Sequence, residues 1–127
     1  MTDLDDQLLS LRGYSYQVWE YSPMHSSLTI RATNKHREND EVYILFGMVE
    51  YVELAMIWEG DFIPASDDEY LLIFKKSRLD LGYEIHPIPK IREILDLYKV
   101  ERPRGNIYIL GSLSSIKTER EKNSRNN

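Results

Sequence analysis

The stretch EVYILFGMVEYVELAMIWE, residues 41–59, decides the fold class, because it is almost continuously apolar and rich in β-branched and aromatic residues. That composition favours strands. The stretch is too long for one ordinary strand of about 3–10 residues. We therefore expect a break or bulge at Gly47 or Glu50. The two resulting strands are predicted near Val42–Phe46 and Val49–Trp58.

Further segments have the alternation or aromatic content that is typical of strands. They are Tyr14–Tyr21, Leu28–Thr33, Glu69–Lys75, Leu79–Ile85 and Ile107–Leu110. Two alternatives stay open, because periodicity does not separate short apolar strands from buried helices. They are a buried helix over Val49–Met56 and a helix over residues 69–75 capped by Ser66.

Two helices are predicted, one near the N-terminus and one towards the C-terminus. Asp3–Arg12 has acidic residues in its first turn and leucines at helical spacing, which is typical of a helix start. Ile91, Ile94, Leu95 and Tyr98 are spaced as on one face of an amphipathic helix. The fold class is therefore α+β, with a single mostly antiparallel sheet of about five to seven strands, an N-terminal helix and one C-terminal amphipathic helix.

One domain is expected over residues 1–111, and the polar sequence of residues 112–127 predicts a disordered tail. The chain has no cysteine, and no apolar run is long enough to span a bilayer. The acidic amino terminus lacks the pattern of a secretory signal. These observations predict a cytoplasmic protein that does not contact a membrane.

Acidic and basic residues are unevenly distributed along this sequence. Between Glu38 and Phe74 there are ten acidic residues and no lysine or arginine. The acids are Glu38, Asp40, Glu41, Glu50, Glu53, Glu59, Asp61, Asp67, Asp68 and Glu69. Such a block favours cationic partners and repels nucleic acid, so we expect a basic protein partner and no nucleic acid.

Motifs for catalysis, metals and cofactors are absent from the sequence. His25, His36 and His86 lack the spacing of a metal site, and there is no phosphate-binding loop or nucleophile elbow. Glu53 and Glu59 share strand parity if the second apolar strand is extended. A carboxylate pair needs a cleft to act as a hydrolase, which the sequence does not show. We therefore predict no catalytic residue, no metal and no cofactor.

The residues that combine aromatic rings with acids are the predicted partner face. They are Trp19, Tyr21, Glu50, Tyr51, Glu53, Trp58, Glu59 and Asp61. Aromatic anchors among carboxylates suit Lys- and Arg-rich partners. The sequence thus predicts a non-catalytic protein-interaction module. Its charge layout is similar in physical type to small acidic α+β proteins that neutralise basic nuclease toxins, although no family motif accompanies the similarity.

Three other hypotheses stay open. One is a small-molecule binding domain with a tyrosine-lined pocket between the sheet and the predicted helix Ile91–Tyr98. Another is a carboxylate-dependent hydrolase that uses Glu53, Glu59 or Asp61. The third, a homo-oligomer formed through a sheet face or edge, is compatible with each of the others.

Overall fold

The computed structural model describes residues 3–77 and 88–118. Within these residues seven strands form one antiparallel sheet. The strands are β1 (Ser15–Ser22), β2 (Ser27–Asn34), β3 (Arg37–Glu53), β4 (Ile57–Glu59), β5 (Phe62–Pro64), β6 (Asp96–Val100) and β7 (Ile107–Thr118). The helices are α1 (Asp3–Ser10), α2 (Asp67–Lys76) and α3 (Ile88–Arg92). The predicted α+β class, antiparallel sheet and N-terminal helix are confirmed.

The sheet is curled into a half-barrel. Its strand order is β4-β1-β2-β3-β7-β6-β5, so β4 and β5 are the two outermost strands. Only Gly60 and Asp61 lie between them in sequence. Since consecutive Cα atoms are about 3.8 Å apart, Glu59 and Phe62 are at most about 11 Å from each other. The two ends of the sheet must therefore approach one another.

Two hydrophobic cores lie on the two faces of this sheet. The first is on the concave face beneath α1 and contains alternate residues of the strands, among them Tyr16, Ile30, Ile44 and Ile109, together with Leu8 of α1. The second lies between the outer face and the helices α2 and α3, and it contains Tyr70, Ile73, Phe74, Ile91, Leu95, Leu97 and Leu110. The alternation that predicted Leu28–Thr33 as a half-buried strand is confirmed in β2.

The apolar stretch of residues 41–59 folds differently from the predicted pair of strands. One strand, β3, continues through Gly47 to Glu53, and Ile57–Glu59 forms the short edge strand β4. The expected irregularity is present as a register shift between Gly47 and Tyr51. The helix considered over Val49–Met56 is not formed, since β3 is extended to Glu53 and β4 follows at Ile57.

Segment 69–75 is a helix, so the strand predicted there is wrong and its alternative is right. Ser66 caps α2: its hydroxyl accepts a hydrogen bond from the Glu69 amide at 3.1 Å, and the Glu69 carboxylate accepts one from the Ser66 amide at 3.1 Å. This capping box satisfies two amides that would otherwise lack a partner at the helix start.

The predicted C-terminal helix over residues 91–98 is wrong. Helix α3 ends at Arg92, and Tyr98 lies in β6, where it pairs with Ile109. Leu97 and Tyr98 point to opposite faces of the sheet, as expected of a strand with period two. Of the four apolar residues at helical spacing, Ile91 lies in α3, Ile94 and Leu95 follow it, and only Tyr98 lies in the strand, where pairing with β7 decides the local structure.

Strand β7 also extends further than the predicted Ile107–Leu110. Residues 112–118, which the sequence assigned to a disordered tail, pair with β3 as far as Thr118. The strand predicted at Leu79–Ile85 lies outside the described residues. None of the described helices is long and apolar enough to cross a membrane.

The side chains of Lys99, which is buried, and Arg92, which is half-buried, connect α2 to the sheet. Lys99 of β6 donates to both carboxylate oxygens of Glu69 at 2.7 Å. Arg92 donates from Nη1 to Asp67 at 2.7 Å and from Nε to Asp96 at 2.8 Å. Burial alone raises the pKa of Glu69, but the hydrogen bonds from Lys99 and Ser66 outweigh it and hold the pKa below its ordinary value of 4.5.

Candidate protein-interaction site

Most acids of the block between Glu38 and Phe74 that the structure describes are neutralised by cations from elsewhere in the chain. The pairs are Arg31–Glu41, Arg12–Asp61 at 3.5 Å, Lys35–Glu59 at 3.9 Å, Arg92–Asp67 at 2.7 Å and Lys99–Glu69 at 2.7 Å. The block is therefore not one free negative surface. The carboxylates without such a partner are the ones that remain available to bind a cation from outside.

A bulge in β3 places one of these carboxylates on the surface. Gly47 pairs with Ser112 and Tyr51 with Leu110, so residues 48–50 of β3 lie opposite the single residue Gly111 of β7. Extra residues of this kind bend a strand and redirect its side chains. They are common next to functional sites.

Close packing holds the bulge in place. A Cβ atom on Gly111 would lie 3.1 Å from the carbonyl oxygen of Gly47 and 3.3 Å from the Cα of Val49. The amide of Val49 donates to the carbonyl of Ser26 at 2.8 Å, which fixes the bulge against the turn between β1 and β2. Close packing and this hydrogen bond thus fix the conformation of the bulge.

Backbone strain accompanies the bulge. Met48 has φ of +49°, a left-handed conformation that costs a non-glycine residue about 1–2 kcal/mol. Its side chain gains little burial in return, because it is 50% exposed. Strain of this kind is concentrated at functional sites.

Met48 forms one part of a groove on the outer surface. The groove lies between the bulge and the segment that runs from α3 into β6, and its volume is about 280 Å³. Its lining residues are Met48, Glu50, Lys90, Ile91, Glu93, Ile94 and Leu95. We call this feature the Met48 groove. Ile94 is 64% exposed there, so the groove presents apolar surface to solvent.

Carboxylates dominate the polar part of the Met48 groove. Glu50 and Glu93 are exposed, and neither has an ion-pair partner within residues 3–77 and 88–118. Lys90 supplies one positive charge. The charged side chains among the described lining residues therefore sum to one negative charge, beside an exposed aliphatic surface.

Trp19 and Tyr21, which were predicted for the partner face, are exposed on β1. The guanidinium of Arg31 lies 4.9 Å from the centre of the Trp19 ring, and the Tyr43 ring meets it edge-on at 6.1 Å. Trp19 thus packs on the outer face of β1–β3. It is not among the residues that line the Met48 groove.

Trp58 is a core residue, only 3% exposed. Its ring stacks on Tyr16 with centroids 5.7 Å apart, and Tyr16 meets Phe62 edge-on at 5.1 Å. Burial, helped by the nearby charge of Asp61, raises the pKa of Tyr16. This aromatic stack fills the region where the two ends of the sheet meet, so Trp58 stabilises the fold.

Tyr51 and Glu53 follow the bulge along β3. Tyr51 packs against the core beneath α2. Glu53 is half-buried and pairs in register with Tyr108; its Oε2 atom is buried without a hydrogen-bond partner among the described residues. Neither residue lines the Met48 groove.

Glu59 and Asp61 lie in a separate polar cleft near Lys35 and His36. Glu59 accepts from the Ser15 hydroxyl at 3.2 Å, and Asp61 accepts from the Gly13 amide at 3.3 Å. Both carboxylates also take part in the ion pairs given above. The described residues contain no cluster of three or more His, Asp or Glu side chains that could hold a metal ion.

Of the eight predicted residues, only Glu50 lies in the Met48 groove. Met48, Glu93 and Ile94 were missed. Gly47 followed by Glu50 within an apolar run did signal a bulge, and a bulge redirects neighbouring side chains. Nothing in the sequence indicated that residues 90–95 meet that bulge, because the segment has the spacing of a helix.

Comparisons with protein-family models, with curated proteins and with solved structures find no significant match to this chain. Function is therefore inferred from the geometry of the chain itself.

Proposed function

We propose that this protein is a non-catalytic interaction module that binds a basic partner protein through the Met48 groove. The observation that supports the proposal is that Glu50 and Glu93, which have no ion-pair partner among the described residues, lie beside exposed aliphatic surface. These two carboxylates stand apart from most of the described acids of the block, which have a cationic partner within the chain.

Each part of the groove has a role in such an interaction. Aliphatic surface removed from water provides affinity, and the free carboxylates steer a cationic partner and select its orientation. Because the charges are exposed, their contribution is screened at high salt, where the Debye length falls from about 10 Å at 0.1 M to about 3 Å at 1 M.

Strain at Met48 supports the same proposal. A methionine in the left-handed region with half of its side chain exposed is unfavourable for stability alone. Methionine is also an adaptable side chain that is common at binding surfaces. An exposed apolar residue that lowers stability is expected to be retained where it contacts a partner.

The physical type of the partner follows from the charge layout. The charge layout is similar in physical type to that of small acidic α+β proteins that neutralise basic nuclease toxins. We therefore propose a basic, toxin-like protein as the partner class, with this chain in the role of an immunity protein or antitoxin.

Affinity capture from a low-salt lysate of the native host tests this function. The immobilised chain is compared with the double variant Glu50→Gln/Glu93→Gln and with the control Glu20→Gln/Asp68→Asn, which removes two exposed charges outside the groove. We expect the wild type and the control to retain a basic protein that salt releases, and the groove variant to lose it. Equal retention by all three proteins would reject the groove as the site.

A second candidate is a small-molecule binding domain, because the Met48 groove is concave and its lining is largely apolar. The groove volume of about 280 Å³ lies just below the range of about 300–1,000 Å³ that is usual for ligand pockets. Within residues 3–77 and 88–118 its lining includes no tyrosine, which differs from the tyrosine-lined pocket expected from the sequence. Native mass spectrometry of the purified chain would detect a retained ligand as a discrete added mass.

A further inference from the structure

The Met48 groove has room for one large side chain. An apolar cavity of about 150 Å³ is sufficient to bind benzene, and the groove holds about 280 Å³. Its apolar lining comes from Met48, Ile91, Ile94 and Leu95. The volume of the groove therefore exceeds what a phenyl ring needs.

The lining is also suited to an aromatic ring by its chemistry. A thioether makes favourable contacts with ring edges, and methionine changes rotamer easily to fit an irregular shape. Met48 is the residue that the bulge turns into the groove. Aromatic residues are the usual anchors in pockets at protein interfaces.

The two carboxylates of the groove come from different segments of the chain, Glu50 from the β3 bulge and Glu93 from the turn after α3. A ring inserted between these segments thus has a carboxylate available on each of them. Lysine or arginine residues next to the ring in the partner would pair with these charges.

We infer that the Met48 groove receives a single aromatic side chain from a partner segment in which basic residues flank that side chain. This inference rests on the proposed function and names the chemistry that the partner must present. The aromatic ring supplies affinity, and the flanking cations supply selectivity and salt dependence.

Short peptides test the inference directly. The ¹⁵N-labelled full chain is titrated, with NMR detection, with capped pentapeptides of sequence Gly-Lys-Phe-Lys-Gly, Gly-Lys-Ala-Lys-Gly and Gly-Glu-Phe-Glu-Gly. We expect the Lys-Phe-Lys peptide to shift the amide signals of the groove residues and to bind at least about tenfold more tightly than the other two, as is usual for loss of an anchor or a charge pair.

Matched variants show whether the peptide occupies the groove. Ile94→Ser removes exposed apolar surface within it, and Leu72→Ser removes it from α2, where the side chain is 57% exposed. We expect Ile94→Ser to weaken the Lys-Phe-Lys peptide several-fold and Leu72→Ser to leave it unchanged. Equal effects of the two substitutions would overturn the assignment to the groove.

Other results separate this inference from the proposed function. Equal binding of the Lys-Phe-Lys and Lys-Ala-Lys peptides, or no binding by any peptide, overturns the aromatic anchor. If lysate capture still depends on Glu50 and Glu93 in that case, the proposed function remains supported. Equal binding of the Glu-Phe-Glu peptide overturns the role of the flanking cations. Groove signals that shift with protein concentration alone would assign the groove to a second copy and overturn the inference.

Discussion

Substitution of Gly60 by alanine tests the way in which the sheet closes. Gly60 lies between the outermost strands β4 and β5. It has φ of +118°, and a Cβ atom there would lie 2.8 Å from Cγ1 of Val100, a fully buried core residue. Alanine therefore meets both a disfavoured backbone conformation and a side chain that has little freedom to move.

The two effects have separate magnitudes. A non-glycine residue in a sparsely populated backbone region costs about 1–3 kcal/mol, and overpacking a core costs typically about 1–3 kcal/mol. We expect Gly60→Ala to lower the free energy of unfolding by about 2–6 kcal/mol, which is a large part of the usual total of about 5–15 kcal/mol.

Gly105→Ala is the matched control. Gly105 has φ of +124°, but none of the described atoms would lie within 4 Å of a Cβ atom added there. It therefore carries the backbone cost alone, about 1–3 kcal/mol. Urea unfolding followed by circular dichroism measures both variants. In a double-mutant cycle, Val100→Ala should reduce the cost of Gly60→Ala by the contact contribution.

Two results would refute this reasoning. If Gly60→Ala and Gly105→Ala cost the same, the approach of Gly60 to Val100 does not limit the closure of the sheet. If Val100→Ala leaves the cost of Gly60→Ala unchanged, the extra cost has another origin.

Three further substitutions have definite expectations. Met48→Gly should change the free energy of unfolding by less than about 1 kcal/mol, because relief of left-handed strain is offset by the greater freedom of glycine in the unfolded chain. The same substitution should weaken partner binding. A loss of stability above about 2 kcal/mol in urea unfolding would count against this expectation. Arg92→Lys should destabilise by about 1–3 kcal/mol in the same assay, because lysine cannot reproduce the forked hydrogen bonds or the stacking 4.9 Å from the Tyr70 ring; no change would show that these contacts of Arg92 are dispensable. Glu69 has a folded-state pKa below 4.5, so its contribution to stability is present above that value and is lost as pH falls through the lower folded-state pKa. Glu69→Gln should therefore flatten the acid limb of the stability–pH curve, and an unchanged limb in Glu69→Gln would contradict the role of its pairing with Lys99.

Local patterns predicted the sheet well where one face of a strand is buried. Alternation in Leu28–Thr33 identified β2, because core and solvent faces impose a period of two. Helical spacing predicted the wrong structure at Tyr98, which lies in a strand that pairs with β7. Short apolar patterns are ambiguous, and long-range pairing decides between them.

The candidate site was predicted only in part for a related reason. Glu50 was identified because a charge within apolar sequence is costly without a purpose. Trp58 was assigned to the predicted partner face, but the curl of the sheet buries it against Tyr16. Glu93 was overlooked, since only the folded chain brings residues 90–95 to the bulge. A surface made from two distant segments has no local signature.

The most direct test of the central claim is the dissociation constant of the captured basic protein for three forms of the chain: wild type, Glu50→Gln/Glu93→Gln and Glu20→Gln/Asp68→Asn. We expect the groove variant to bind at least about tenfold more weakly at about 50 mM salt, with most of the difference lost at about 500 mM. The Glu20/Asp68 control should bind like the wild type. Equal weakening in the two variants would show that only net charge matters, and would contradict a specific site at the Met48 groove.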